Sequence, residues 1–395
     1  MATDHVQDGS NFIQLRRTRS RRFAIRAFQI IFLLHFYLGW RLLPDLPIDR
    51  GLQFLGGSGL VLSSLLIPFG TLSRVFFGNQ KVIDRLTWAG ALTMGWASSL
   101  LVFTIVRDVA MLVLDLWIWR QESAVVVLGL SIVVTIVGFY NARRVARVVR
   151  VTIPLDQLPA SLEGFTIAQI SDLHVGSTIR RDFVQAVVER ANSLDPDAIA
   201  LTGDIVDGSV AQLAEEVAPL ANLRARHGVF LVTGNHEYYH GADDWIAAFR
   251  RLGLHPLLNA HVVLHHDGAD LVFAGINDYS AKNSTHHHVS DPYAALDESP
   301  EGAPKILLAH QPRSAPEVEA AGFDLQLSGH THGGQFWPWN YFVRLQQPYI
   351  AGLHRLGRMW VYTSRGTGYW GPPKRFGAPS EITLVTLSQA PMKGG

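Results

Sequence analysis

Residues 325–339 read LQLSGHTHGGQFWPW. A short run around Leu325 and Leu327 ends in Ser328, and His330, His332, Gly333 and Gly334 follow at once. Such a run, bounded by turn signals, reads as a buried strand. If the chain stays extended beyond it, residues two apart face one side, and both imidazoles reach one site. The glycine pair then lets the backbone leave sharply and pass close to whatever is bound.

The same punctuation recurs in FTIAQISDLH (165–174), DAIALTGDIVD (197–207), GVFLVTGNHE (228–237), DLVFAGINDY (270–279) and KILLAHQP (305–312). Helical patterns lie between them at 180–194 and 209–225. Strands alternating with helices predict a layered α/β domain over residues 151–395. Its chemically capable residues stand at the C-terminal strand ends, where ligand sites of open α/β sheets lie.

Those residues are Asp172, His174, Asp204, Asn235, His310, His330 and His332. The chain has no cysteine, which excludes disulfides, thiolate metal sites and cysteine nucleophiles, so a metal must be held by nitrogen and oxygen. Seven such donors are too many for one tetrahedral ion but suit two divalent ions sharing a carboxylate. Two ions about 3.5–4 Å apart form a clamp for displacement at phosphorus, and a water between them becomes the attacking hydroxide. Singly the residues say less: His310 alone reads more readily as a satisfied core histidine, and Asp204 as a turn or cap residue.

In order, the chain carries Asp172-Leu-His174, Gly203-Asp204-Ile-Val-Asp207, Gly234-Asn235-His236-Glu237, His310 and Gly329-His330-Thr-His332. It thereby resembles the calcineurin-like metallophosphoesterase superfamily, in its membrane-attached, bacterial-type branch, over about residues 160–390. The resemblance implies a four-layer α/β/β/α sandwich. It also implies that Asp172, His174 and His332 hold one metal, that Asn235, His310 and His330 hold the other, and that Asp204 bridges them. His236 would face the substrate and protonate the leaving oxygen, and Asp207 would orient a histidine. The metals implied are two divalent ions, with Mn, Fe, Zn and Co equally suited to this donor set.

Other stretches carry weaker signals. Glu237 reads as a local hydrogen-bonding group. NSTHHHVSD (283–291), with His286, His287 and His288, reads as a solvated loop near the site mouth. Asn277, with Asp278 beside it, stands where a substrate contact is expected. Arg365 in YTSRGTGYW suits either a phosphate contact or a structural ion pair.

Residues 1–150 are a different module. They hold 17 Lys and Arg against 8 Asp and Glu, while the remainder holds 17 against 25. Apolar runs at 27–44, 51–70, 86–106 and 123–140 each approach the ~20 residues that cross a ~30 Å bilayer core, predicting an all-α transmembrane module of about four spans. The intervening 107–122, with Arg107, Asp108 and Asp115, either extends the third helix or lies at the interface. Thirteen arginines and lysines fall on one side of these spans and four on the other. By the positive-inside rule the catalytic half faces the cytoplasm at the cell membrane. SRRFAIRAF (20–28) weakly resembles a twin-arginine export signal, which would reverse that side.

These readings predict a membrane-anchored phosphoesterase acting on phosphomono- or phosphodiesters, including lipid headgroups or glycolipid pyrophosphates. A cyclic-nucleotide or soluble phosphodiesterase, a non-catalytic metal-binding scaffold of the same fold, and a transporter are the alternatives weighed. No nucleic-acid partner is expected, because the catalytic half lacks a basic stripe.

Overall fold

A computed structural model of the chain describes residues 25–283 and 288–391. The arginines before Arg26, and His286 and His287, lie outside the described residues. The chain forms two compact units, 1–136 and 137–395.

The first unit is helical. Among the described residues four helices are long and apolar enough to cross a membrane: Ile25–Asp45, Arg50–Thr71, Gln80–Leu114 and Trp117–Arg143, the last of which ends in the second unit. Arg107 and Asp108 continue the third helix rather than breaking it. Their charges are tolerated because they are paired: Arg107 is buried against Asp45, and Arg41 donates to Asp108 at 2.7 Å. Asp115 ends the helix in the left-handed conformation. Gly70 and Gly90 bring the second and third helices together, since a Cβ on Gly70 would stand 2.8 Å from the Gly90 Cα.

The second unit is built on two six-stranded sheets. One has the order β1 (Arg147–Leu155), β12 (Glu381–Gln389), β2 (Thr166–Ile170), β3 (Ala198–Leu201), β4 (Val229–Leu231), β5 (His255–Pro256). The other runs β10 (Gly352–Leu356), β11 (Met359–Thr363), β9 (Leu325–Ser328), β8 (Lys305–Leu308), β7 (Ala269–Gly275), β6 (Ala260–His266). Strands β2 to β5 are mutually parallel, and so are β7, β8, β9 and β11.

Both faces of each sheet are covered, which is why the central strands read as continuous apolar runs. Alternation still sorts their side chains. In β3, Ala198 and Ala200 join the core between the sheets, while Ile199 and Leu201 pack outward against Val184, Val187 and Trp245. In β8, Ile306 and Leu308 face the first sheet, and Leu307 packs with Val318 and Phe323 on the far side. Three apolar cores therefore separate four layers: helices, sheet, sheet and helices.

Candidate metal centre

Parallel strands place their carboxyl ends along one edge, and here the edges of both sheets contribute. Asp172 and His174 follow β2, Asp204 and Asp207 follow β3, and Asn235 and His236 follow β4. Asn277 follows β7, His310 follows β8, His330 and His332 follow β9, and Arg365 follows β11.

The extended register expected for the histidine pairs does not occur. β2 ends at Ile170 and β9 at Ser328, two residues before the first donor in each case. Asp172, His174, Asp204, His330 and His332 all have φ between 52° and 71°. Non-glycine residues seldom adopt the left-handed region, and the surrounding packing must hold them there. Tight turns, rather than strand periodicity, aim these side chains. His330 and His332 consequently diverge to two neighbouring groups.

One group joins Asp172, His174 and His332; the other joins Asp204, His310 and His330. In the first, the Nε2 atoms of His174 and His332 are 3.0 Å apart, and His332 Nε2 is 3.4 Å from Asp172 Oδ1. In the second, His310 Nε2 lies 3.1 Å from Asp204 Oδ2 and 3.2 Å from His330 Nδ1. Asp204 Oδ2 is also 3.9 Å from His174 Nε2, so this carboxylate touches both groups.

Hydrogen bonding to the far nitrogens decides which atoms face inward. His310 donates from Nδ1 to the Thr202 carbonyl at 2.8 Å, which leaves its Nε2 lone pair directed at a carboxylate oxygen. His174 donates from Nδ1 to Asp207 at 3.1 Å, which leaves its Nε2 facing His332 Nε2 at 3.0 Å. Two acceptors meeting in a buried place require a cation or a proton between them. The Oδ1 of buried Asn235 makes no hydrogen bond at all. Buried lone pairs of this kind, all on nitrogen and oxygen, fit divalent cations.

The electrostatics agree. Burial opposes the charged form of His310, but Asp204 beside it raises its pKa well above the ordinary value. Burial, followed by His310, lowers His330 to about 3, keeping that imidazole neutral and available as a donor. His236 is different. Burial works against its imidazolium, yet Asp204 and Asp207 raise its pKa to about 9. Asp207 Oδ1 accepts from His236 Nδ1 at 2.5 Å, so the ring is fixed with Nε2 toward the centre, 3.8 Å from Asp204 Oδ2.

The motif glycines have steric reasons. A Cβ on Gly329 would stand 1.9 Å from Ser171 Oγ and 2.3 Å from Asp172 Oδ2. One on Gly234 would meet Asp204 Oδ1 at 2.2 Å. The backbones between the donors must approach this closely for the two groups to share Asp204.

Three residues do more than their sequence context announces. Glu237, expected only to bond locally, is fully buried and accepts from the amides of Gly234, Asp204 and Ile205 at 2.6, 3.0 and 2.8 Å. It ties the β3 and β4 loops together, and its motif position was the available signal. Glu237→Gln replaces one acceptor oxygen by a donor facing those amides. We expect a loss of about 1–3 kcal/mol, read as a lower unfolding midpoint in detergent.

Arg375 is also fully buried. It donates to the carbonyls of His332 at 2.9 Å and Arg365 at 2.7 Å, and its Nη2 lies 3.1 Å from His332 Nδ1. Nothing in the GPPKRFG context distinguishes it from a surface cation. Trp370 packs edge-on against His236, with ring centroids 5.8 Å apart.

Arg365 itself donates to Glu381 at 2.8 Å, the structural ion pair of the two readings. Asn277 is buried, with Tyr238 donating to its Oδ1 at 3.4 Å. His288 lies 3.4 Å from Asp243 and stands apart from both donor groups.

A four-layer sandwich with buried carboxylate and imidazole donors along the common edge of its two sheets defines the metallophosphoesterase class. The model of the calcineurin-like phosphoesterase family matches residues 165–334. A "Transmembrane protein with metallophosphoesterase domain" from Bos taurus is 38% identical over 284 residues, 69% of this chain and 63% of that protein. An uncharacterized metallophosphoesterase of Helicobacter pylori is 40% identical over 252 residues, 63% and 66% of the two chains. Another, from Aquifex aeolicus, is 34% identical over 243 residues, 61% of this chain and 91% of the relative. The chain belongs to the calcineurin-like metallophosphoesterase family. It spans just under two thirds of the length of the Bos taurus and Helicobacter pylori relatives.

Proposed function

We propose that this chain is a membrane-anchored phosphoesterase that uses two divalent cations to hydrolyse phosphomono- or phosphodiesters. The carrying observation is the pair of donor groups meeting at Asp204, with the Nε2 atoms of His174 and His310 facing inward and the Oδ1 of buried Asn235 without a hydrogen bond. Asp172, His174 and His332 would hold one cation, Asn235, His310 and His330 the other, and Asp204 both. Such a pair, when bound, supplies charge against the phosphate oxygens and makes a water acidic enough to attack near neutral pH.

The chain's own groups do the rest. His236 is held by Asp207 with its Nε2 toward the centre, where it donates a proton to the leaving oxygen. Asp207 also fixes the ring of His174 through Nδ1, keeping its other nitrogen free to coordinate. Left-handed turns at five donors hold the arrangement before substrate arrives.

The four apolar helices support attachment to a membrane. The excess of arginine on one side of them supports a cytoplasmic catalytic unit at the cell membrane, and access to lipid headgroups would follow from either face. The test is hydrolysis of p-nitrophenyl phosphate and bis-p-nitrophenyl phosphate by detergent-purified protein, stripped of metal and reloaded with Mn, Fe, Zn, Co or Mg. Metal-dependent turnover of either is expected. Inactivity with two equivalents bound would leave a scaffold of the same fold.

A further inference from the structure

The segment directly after the histidine pair exposes an unusual surface. Trp337, Trp339, Tyr341, Phe342 and Leu345 all face solvent, with Tyr341 60% and Leu345 82% exposed. Trp370 joins this surface through a reciprocal pair of hydrogen bonds with Gln335, whose Nε2 donates to its carbonyl at 2.9 Å and whose Oε1 accepts from its amide at 2.9 Å. Trp370 is 56% exposed, although its ring also touches His236. The patch therefore borders the candidate centre.

Its composition indicates what covers it. Three tryptophans and a tyrosine ring a phenylalanine and a leucine, and amphipathic rings of this kind are enriched at lipid headgroup level. Charge points the same way. From Leu325 to Ser380 there is no Asp or Glu; of its Lys and Arg, Arg344 and Arg358 are exposed, Arg355 and Arg365 pair with Asp156 and Glu381, and Lys374 and Arg375 are buried. Exposed Arg344 sits inside the patch. An anionic lipid surface therefore meets no acidic group along this segment. The chain also carries its own candidate membrane spans, so a bilayer is within reach at high local concentration.

We infer that residues 337–345 and Trp370 form a bilayer-docking surface that seats the candidate centre at the headgroup layer, so that the substrate is a phosphoester lipid taken from the membrane. The substrate class rests on the phosphoesterase reading above; the docking does not.

The absence of cysteine makes the test direct, because an introduced cysteine is the sole labelling site. Full-length Leu345→Cys and Phe342→Cys, spin-labelled and reconstituted in phosphatidylcholine–phosphatidylglycerol vesicles, are compared with Glu189→Cys on the helix Arg181–Asn192. The labels at 342 and 345 should sit about 5–10 Å below the phosphates, reached by oxygen and shielded from a nickel chelate. The label at 189 should remain aqueous. Equal chelate access at all three positions overturns the docking.

For the substrate, Phe342→Ser/Leu345→Ser should lower hydrolysis of vesicle-embedded phosphatidic acid by at least about tenfold, the factor carried by one buried large apolar side chain. Hydrolysis of p-nitrophenyl phosphate should be unchanged. Equal losses on both substrates overturn the lipid assignment. A wild type inert toward both, yet with inserted labels, sinks the phosphoesterase reading and leaves the docking standing.

Discussion

Asp204→Asn is expected to bring hydrolysis to background and to release metal during dialysis. A single oxygen of Asp204 faces imidazoles of both donor groups, Oδ2 lying 3.1 Å from His310 Nε2 and 3.9 Å from His174 Nε2. Its other oxygen accepts from the His236 amide at 2.9 Å, so the side chain cannot swing aside. The substitution conserves shape but removes the charge and turns one oxygen into an N–H donor. Shared charge in such a clamp stabilises the transition state by several kcal/mol, so turnover should fall on the order of 10³-fold or more. The check is metal content by mass spectrometry alongside the rate on bis-p-nitrophenyl phosphate. Wild-type turnover in this variant would remove Asp204 from the centre.

His236→Ala should separate turnover from metal binding. Its Nδ1 is committed to Asp207 and its Nε2 points to the centre, yet it belongs to neither of the groups that meet at Asp204. His174, Asp207 and His236 also lie close enough together to hold an ion. There, however, a single Asp207 oxygen accepts from both rings, which is a hydrogen-bond relay rather than a ligand set. Loss of a positioned proton donor costs about 10²–10⁴-fold in rate. Metal stoichiometry should match wild type, and parallel loss of metal would make His236 a ligand instead. A substrate with a nitrophenolate leaving group needs little protonation, so its rate should fall less than that of an alkyl ester.

The contrast between legible and hidden residues follows from what each depends on. Strands β2, β3, β4, β7, β8 and β9 could be read because each is a short apolar run closed by turn residues. β1, β5, β6 and β10 carry mixed polar patterns and were not separately visible; β1 exists because it pairs along its whole length with β12, more than 200 residues away. The seven donors were visible as types at strand ends. Their aim was not, because it comes from left-handed turns that packing enforces.

Local order and residue chemistry were written in the chain itself: a run of apolar helices, an α/β half, and nitrogen and oxygen donors with no sulfur. Tertiary structure alone decided that two sheets share one edge, that Glu237 joins two loops, that Arg375 is buried behind His332, and that Arg365 turns to Glu381. The reason is distance. Each of those outcomes depends on partners far along the chain, and no local pattern records which backbone will arrive at a given side chain once the sheets close over their common core.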